Sequence, residues 1–272
     1  MEDAGDHLDP LAQRGIAARR RHHDRNARGR GSAGGRRHLR HHHRGAGLHR
    51  DEDRPAGMTL RLHNFFRSST SVRVRAALNL KGLAFDYVPY VLRTGETRTP
   101  EYLAMNPQGL VPTLEREDGT FMTQSLSILE WLDETHPEPP LLPTEADGRA
   151  RVRALAYMIA CEIHPLNNLR VLFHLRDHYG ADDEGQKAWF THWVTLTFDA
   201  LEAELSGSAQ TRDFCHGDAP GLADVCLYAQ VWNNRRFQID TATWPTIAGI
   251  FGRLDGIAAF RDAAPPNQPD AA

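Results

Sequence analysis

The chain has 272 residues, 40% of them hydrophobic and 25% charged, with a formal charge of −3; that is ordinary for a globular protein and long enough for two small domains. No apolar run approaches the roughly 18 residues needed to cross a bilayer, which argues against an integral membrane protein. Cys161, Cys215 and Cys226 form no C-x-x-C pair, which argues against a disulfide framework or structural zinc site and suits a reducing compartment.

The composition breaks sharply near residue 57. Residues 1–57 contain no aromatic residue and no Lys, and carry thirteen Arg against eight Asp and Glu. Such a stretch cannot bury enough apolar surface to offset its chain entropy, so it is expected to be disordered. A nucleic-acid arm, a His-rich metal tract and a transit peptide are alternatives. A translated upstream region or unselected extension is the preferred reading, because Met58 opens a legible domain at once.

From there the elements come in order. TLRLHNFF (59–66) alternates as a short strand. VRVRAALNLKG (72–82) reads as a helix stopped by Gly82. LAFDYVPYVL (83–92) is a second strand, and TPEYLAMNP (99–107) a short helix ended by Pro107. LVPTLERED and GTFMTQ (110–124) form a hairpin turning at Asp118-Gly119. SLSILEWLDETHP (125–137) is an amphipathic helix. This βαβαββα layer, residues 58–138, is followed by a linker at 139–148. Residues 149–272 read as helical throughout, with helices at 149–179, 184–207, 222–235 and 244–260. A small α/β layer followed by an all-α domain is the expected architecture.

Between the first strand and helix lies RSST (67–70), continued by Ser71. One N-cap explains one of these hydroxyls, not four. A helix N-terminus offers unpaired N–H groups and a positive dipole end; with hydroxyl donors it suits a thiolate or another anion. Gln124 and Ser125 sit at a second helix start, where Ser125 is either a plain cap or an anion ligand. IHPLNN (163–168) is unexpected inside a helix. Pro165 removes a hydrogen bond at a cost of about 3 kcal/mol and is expected to free the Cys161 carbonyl. His164, Asn167 and Asn168 cluster on the resulting bend, with Arg170 beyond.

Together, FFRSSTSVRVRAALNLKG, NPQGLVPTL, QSLSILEWLDE, IHPLNNLRV, GLADVCL, NRRFQID and the terminal QPD resemble the cytosolic glutathione transferases. Within them the chain resembles the zeta class, the maleylacetoacetate and maleylpyruvate isomerases, from Met58 to about Asp270. The resemblance implies a thioredoxin-like N-terminal domain with an all-α C-terminal domain, glutathione as cofactor, a cytoplasmic homodimer, and no metal, nucleic-acid or membrane partner. It implies cis–trans isomerisation of a maleyl keto-acid; a general glutathione transferase and a non-catalytic module of the same fold are the alternatives. Thr70 stands where the family usually has cysteine, so the nucleophile must be the sulfur of glutathione. Ser68, Ser69 and Thr70 are implied as donors to that sulfur. Ser71, Val111, a cis-Pro112, Gln124, Ser125, His164 and Asn168 are implied to hold the tripeptide. Arg67, Arg170 and Arg236, the last preferred over Arg235, are implied to hold the substrate carboxylates. Gly221 replaces the usual Ser or Thr cap of the helix carrying GLADVC, with Asp224 completing the cap. The aromatics of WFTHWVTLTF (189–198), Cys215 and Cys226 read as core.

Overall fold

The computed structural model describes residues 59–271; the proposed extension, residues 1–57, lies outside them. The first half contains β1 (Leu60–Asn64), α1 (Ser69–Leu80), β2 (Phe85–Pro89), α2 (Pro100–Met105), β3 (Thr113–Glu115), β4 (Phe121–Thr123) and α3 (Ser125–Thr135). The βαβαββα order is therefore the one expected. The sheet runs β2-β1-β3-β4, with β1 parallel to β2 and antiparallel to β3, and β3 antiparallel to β4. This is a thioredoxin-like layer. The helical part comprises α4 (Ala146–Tyr157), α5 (Leu169–Tyr179), α6 (Asp183–Ser206), α7 (Leu222–Arg236), α8 (Pro245–Gly256) and α9 (Ala258–Arg261). No helix among the described residues is long and apolar enough to cross a membrane.

Helix α1 joins the two parts. It packs on α3 and α7, and every residue from Ser71 to Leu78 is buried. Burial on all sides explains why its sequence shows no clean amphipathic stripe. It also forces two arginines inside. Arg75 is satisfied by Asn64 Oδ1 at 2.7 Å, the Phe66 carbonyl at 2.8 Å and the Ala263 carbonyl at 2.9 Å. Lys81, at the end of α1, donates to Asp133 and to the His136 and Pro139 carbonyls.

Four element boundaries differ from expectation. Helix α1 begins at Ser69, capped by Ser68, so the hydroxyl cluster lies in its first turn. Strand β2 ends at Pro89, and two 3-10 turns, Leu92–Thr94 and Glu96–Arg98, follow it. The helix expected over 149–179 is two helices. After α4 the chain widens to π geometry over Met158–Ile163, where the His164 N–H reaches the Ile159 carbonyl at 3.0 Å. It then leaves helical form until Asn168 caps α5. Pro165 has no N–H and its ring crowds the carbonyl four residues back, so a break replaces the expected bend. The helix expected over 244–260 is interrupted at Ile257, which adopts extended backbone. Of the aromatics at 189–198, Phe190 and Phe198 are fully buried, while Trp189 and Trp193 are half-buried. Cys215 and Cys226 are buried and unpaired.

Candidate active site

The first turn of α1, the loop before β3, the start of α3 and the break between α4 and α5 face one another across a cleft. One part, about 210 Å³, is lined by Arg67, Ser68, Ser69, Thr70, Val111 and Arg170 among others. A second part, about 230 Å³, is lined by Val111, Pro112, Gln124, Ser125, Asn168 and Arg73 among others. Thr70, Leu110, Val111, His164, Asn168 and Arg170 line both.

The hydrogen bonds of the hydroxyl cluster can be followed proton by proton. Thr70 Oγ1 donates to the Val111 carbonyl at 3.0 Å. Its one proton is thus used, so the 2.8 Å contact with Ser68 Oγ must be donated by Ser68. Ser68 Oγ in turn accepts from the Ser71 N–H at 3.3 Å. Ser69 Oγ lies 3.1 Å from His164 Nδ1, and the tautomer of that ring is set from the far side. Asn168 Oδ1 caps α5 by accepting from the Arg170 N–H at 3.1 Å, which turns the Asn168 amide NH₂ toward His164 Nε2 at 3.5 Å. Nε2 therefore accepts and Nδ1 carries the proton, donating it to Ser69. The Ser69 proton is left without a partner among the described residues, at a helix N-terminus. Desolvation, together with the nearby charges of Arg73 and Arg170, pushes the His164 pKa down to about 3, so the neutral ring this network needs is the stable form.

Across the cleft, the Val111-Pro112 bond is cis. The Tyr102 hydroxyl and Asn106 amide both donate to the Leu110 carbonyl, at 2.7 and 2.8 Å, and so fix this loop. Gln124 holds a positive φ of 67°, a conformation uncommon outside glycine and frequent at ligand sites. Its side chain donates to Gln108 at 2.7 Å. Ser125 begins α3 and is 5% exposed.

Three arginines expected at the cleft are there. Arg67 lies over the Phe66 ring, and Arg170 follows the α5 cap. Arg236 lies at the end of α7, over Phe237. Desolvation first, and then the charges of Arg93 and Arg67, lower the Arg236 pKa. Arg235 points elsewhere, packed between Trp232 and Phe251 at 4.4 and 4.5 Å. Ser71 is not at the cleft: its side chain is fully buried beneath α1, and only its N–H takes part, through Ser68.

The sequence reading missed Arg73. It is 1% exposed, donates to Ser125 Oγ at 3.4 Å, and leaves Nε and Nη2 without a partner among the described residues. A buried guanidinium with no carboxylate is costly unless an anion completes it. The signal was the doubled arginine of VRVR, inside a helix whose other residues are apolar or small.

The Glutathione S-transferase, N-terminal domain family model matches residues 67–135. The maleylpyruvate isomerase of a Ralstonia species is 45% identical over 213 residues, covering 78% of this chain and all of that protein. A solved holo maleylpyruvate isomerase, a bacterial glutathione S-transferase of the zeta class, superposes with a TM-score of 0.76 at 45% identity, over 78% of this chain and 100% of the other. The chain belongs to the zeta class of the glutathione S-transferases. The maleylacetoacetate isomerase of Methylobacterium extorquens, solved with malonate and glutathione, gives 0.76 at 41% identity, over 78% and 99%. In this zeta-class cleft the Thr70 hydroxyl is already committed to the Val111 carbonyl.

Proposed function

We propose that the chain is a glutathione-dependent cis–trans isomerase that converts maleylacetoacetate to fumarylacetoacetate, or maleylpyruvate to fumarylpyruvate. The residues fit the cofactor. The orphaned Arg73 guanidinium, Ser125 and the free N–H groups opening α3 suit the γ-glutamyl carboxylate, and the half-buried Val111, before cis-Pro112 at the cleft wall, suits the peptide backbone. When bound, glutathione supplies a thiolate that adds reversibly to the conjugated cis double bond, allows rotation about it, and is released unchanged.

The observation that carries this reading is the Ser69 hydroxyl, placed in the first turn of α1 and held 3.1 Å from His164 Nδ1 at the wall of the cleft. Ser69 donates to the sulfur and favours its anionic form, while His164 and Asn168 hold the Ser69 hydroxyl in that orientation. Ser68 and Thr70 keep the turn in place and add their dipoles. Arg67, Arg170 and Arg236 bind the substrate carboxylates and stabilise negative charge pushed toward the conjugated carbonyl. In this reading residues 58–138 hold glutathione and the helices from 149 onward shape the substrate side. A cytoplasmic homodimer belongs to the same proposal.

The test is to follow isomerisation and free thiol together. Turnover should require glutathione and leave its concentration constant. Stoichiometric loss of thiol with a maleyl substrate would favour a general transferase instead.

A further inference from the structure

Behind the cleft lies a separate cavity of about 470 Å³ whose charge the functional reading has not used. Leu169, Phe173 and Arg236 line both spaces, so Arg236 stands where they adjoin. Arg93, Arg176 and Lys187 supply further cations, against a single carboxylate, Asp183.

These cations are not equivalent. Arg176 is paired with Asp177 at 2.8 and 3.2 Å, and Lys187 donates to Gln238 at 3.3 Å. Arg93 and Arg236 have no ion-pair partner among the described residues. Arg93 is carried on the Leu92–Thr94 turn, and the nearby Glu96 carboxylate is turned back to accept from the Val91 N–H at 2.6 Å. The Arg93 guanidinium rests instead at 6.0 Å from the Phe173 ring, which Arg176 approaches at 4.6 Å from its own position on α5. Arg93 also contributes to the depressed pKa of Arg236, so the two unpaired guanidinium groups lie near each other. Two such groups about one open cavity are complementary to a carboxylate.

We propose that this cavity receives the tail carboxylate of the substrate and that Arg93 recognises it. The inference rests on the proposed isomerase function and deepens it: it assigns the far carboxylate of the keto-diacid to a cavity of its own. The carboxylate next to the double bond stays with the arginines of the cleft. The oxo chain passes Arg236 between Leu169 and Phe173, and its far end reaches Arg93. Substrates that stop short of Arg236, or end in an uncharged group, forgo this contact.

The experiment compares wild type, Arg93→Gln and Arg93→Lys on two cis compounds: a maleyl keto-diacid, and its analogue in which a methyl group replaces the tail carboxylate. Arg93→Gln should raise KM for the diacid about tenfold, equivalent to about 1.4 kcal/mol, with kcat within twofold. It should leave the methyl analogue and glutathione conjugation of a neutral electrophile unchanged, and Arg93→Lys should fall between. An unchanged KM for the diacid, equal losses on both compounds, or a slowed conjugation would overturn the inference. A wild type that isomerises neither compound would instead overturn the proposed function, and this inference with it.

Discussion

Ser69, Ser68 and Thr70 are neighbours with the same functional group and different hydrogen-bond commitments, so their substitutions should separate. Ser69→Ala should raise the pKa of bound glutathione and slow every thiolate-dependent reaction by one to two decades, the equivalent of losing about 1.5–3 kcal/mol from a charged hydrogen bond. Ser68→Ala and Thr70→Ala should cost less. Ultraviolet titration of the bound thiolate measures this, and a larger effect at Ser68 would place the sulfur on the other hydroxyl. Arg73→Gln should weaken glutathione binding while sparing kcat at saturation. His164 makes a prediction about stability. Its folded pKa of about 3 lies below the unfolded value near 6.5. Between those values the unfolded chain binds more protons, so stability falls as pH drops from 6.5 and levels off below about 3. His164→Gln removes that loss, so relative to wild type the variant should gain stability between pH 7 and pH 4.5. Urea midpoints at the two pH values test it; an equal gap at both would mean that His164 titrates normally.

At the start of α7, Asp224 accepts from the Gly221 N–H and the Cys215 N–H, each at 2.9 Å. This is half of a capping box, since glycine has no side chain to return the bond. The sequence reading took Gly221 as a tolerated substitute for Ser or Thr. The structure gives it a cause: a Cβ at 221 would stand 2.8 Å from the Leu141 carbonyl, which already accepts from the Leu222 N–H at 2.8 Å. Gly221→Ser should therefore lower the melting temperature, with strain of about 1–3 kcal/mol, where a cap argument alone predicts a gain. A rise in melting temperature would show that the linker yields. The α4–α5 break illustrates a different limit of sequence reading. Pro165 announced a disturbance, but the widening to an i→i−5 bond begins at Met158, seven residues earlier, where no residue type marks it. Apolar periodicity runs on through the π segment, with Ile159 and Ile163 both buried, so the pattern reads as one helix.

For the molecule as a whole, the order of elements and most cleft residues were legible because they lie in contiguous words with strong local signals: caps, prolines and turn residues. Arg73 and Arg93 were not, because their significance is the absence of a partner, which only the assembled neighbourhood reveals. Charge distribution adds one more expectation. Beyond residue 57 the chain is net −8, yet Arg67, Arg170 and Arg236 gather along the cleft and Arg93 lines the cavity beside it. An acidic body with a basic cleft directs a dianion toward that cleft. The kcat/KM for the diacid should therefore fall steeply as ionic strength rises and the Debye length shrinks from about 30 Å at 0.01 M to about 8 Å at 0.15 M. Conjugation of a neutral electrophile should change little. Parallel salt dependence of the two reactions would show that the cleft exerts no long-range pull.

The chain contains only two lysines, Lys81 and Lys187. Lys81 has no exposed side-chain surface and its ammonium is held by Asp133 and two carbonyls, so an acylating reagent cannot reach it in the native fold. Lys187 is exposed at the rim of the cavity beside Arg236. Buffer chosen to keep the chain's α-amine protonated would not suit a lysine, but a short amine-reactive dye followed by peptide mapping should mark Lys187 as the one modified side chain. The fold thus provides a natural attachment point, without any cysteine engineering, for a fluorophore that reports when an anion enters.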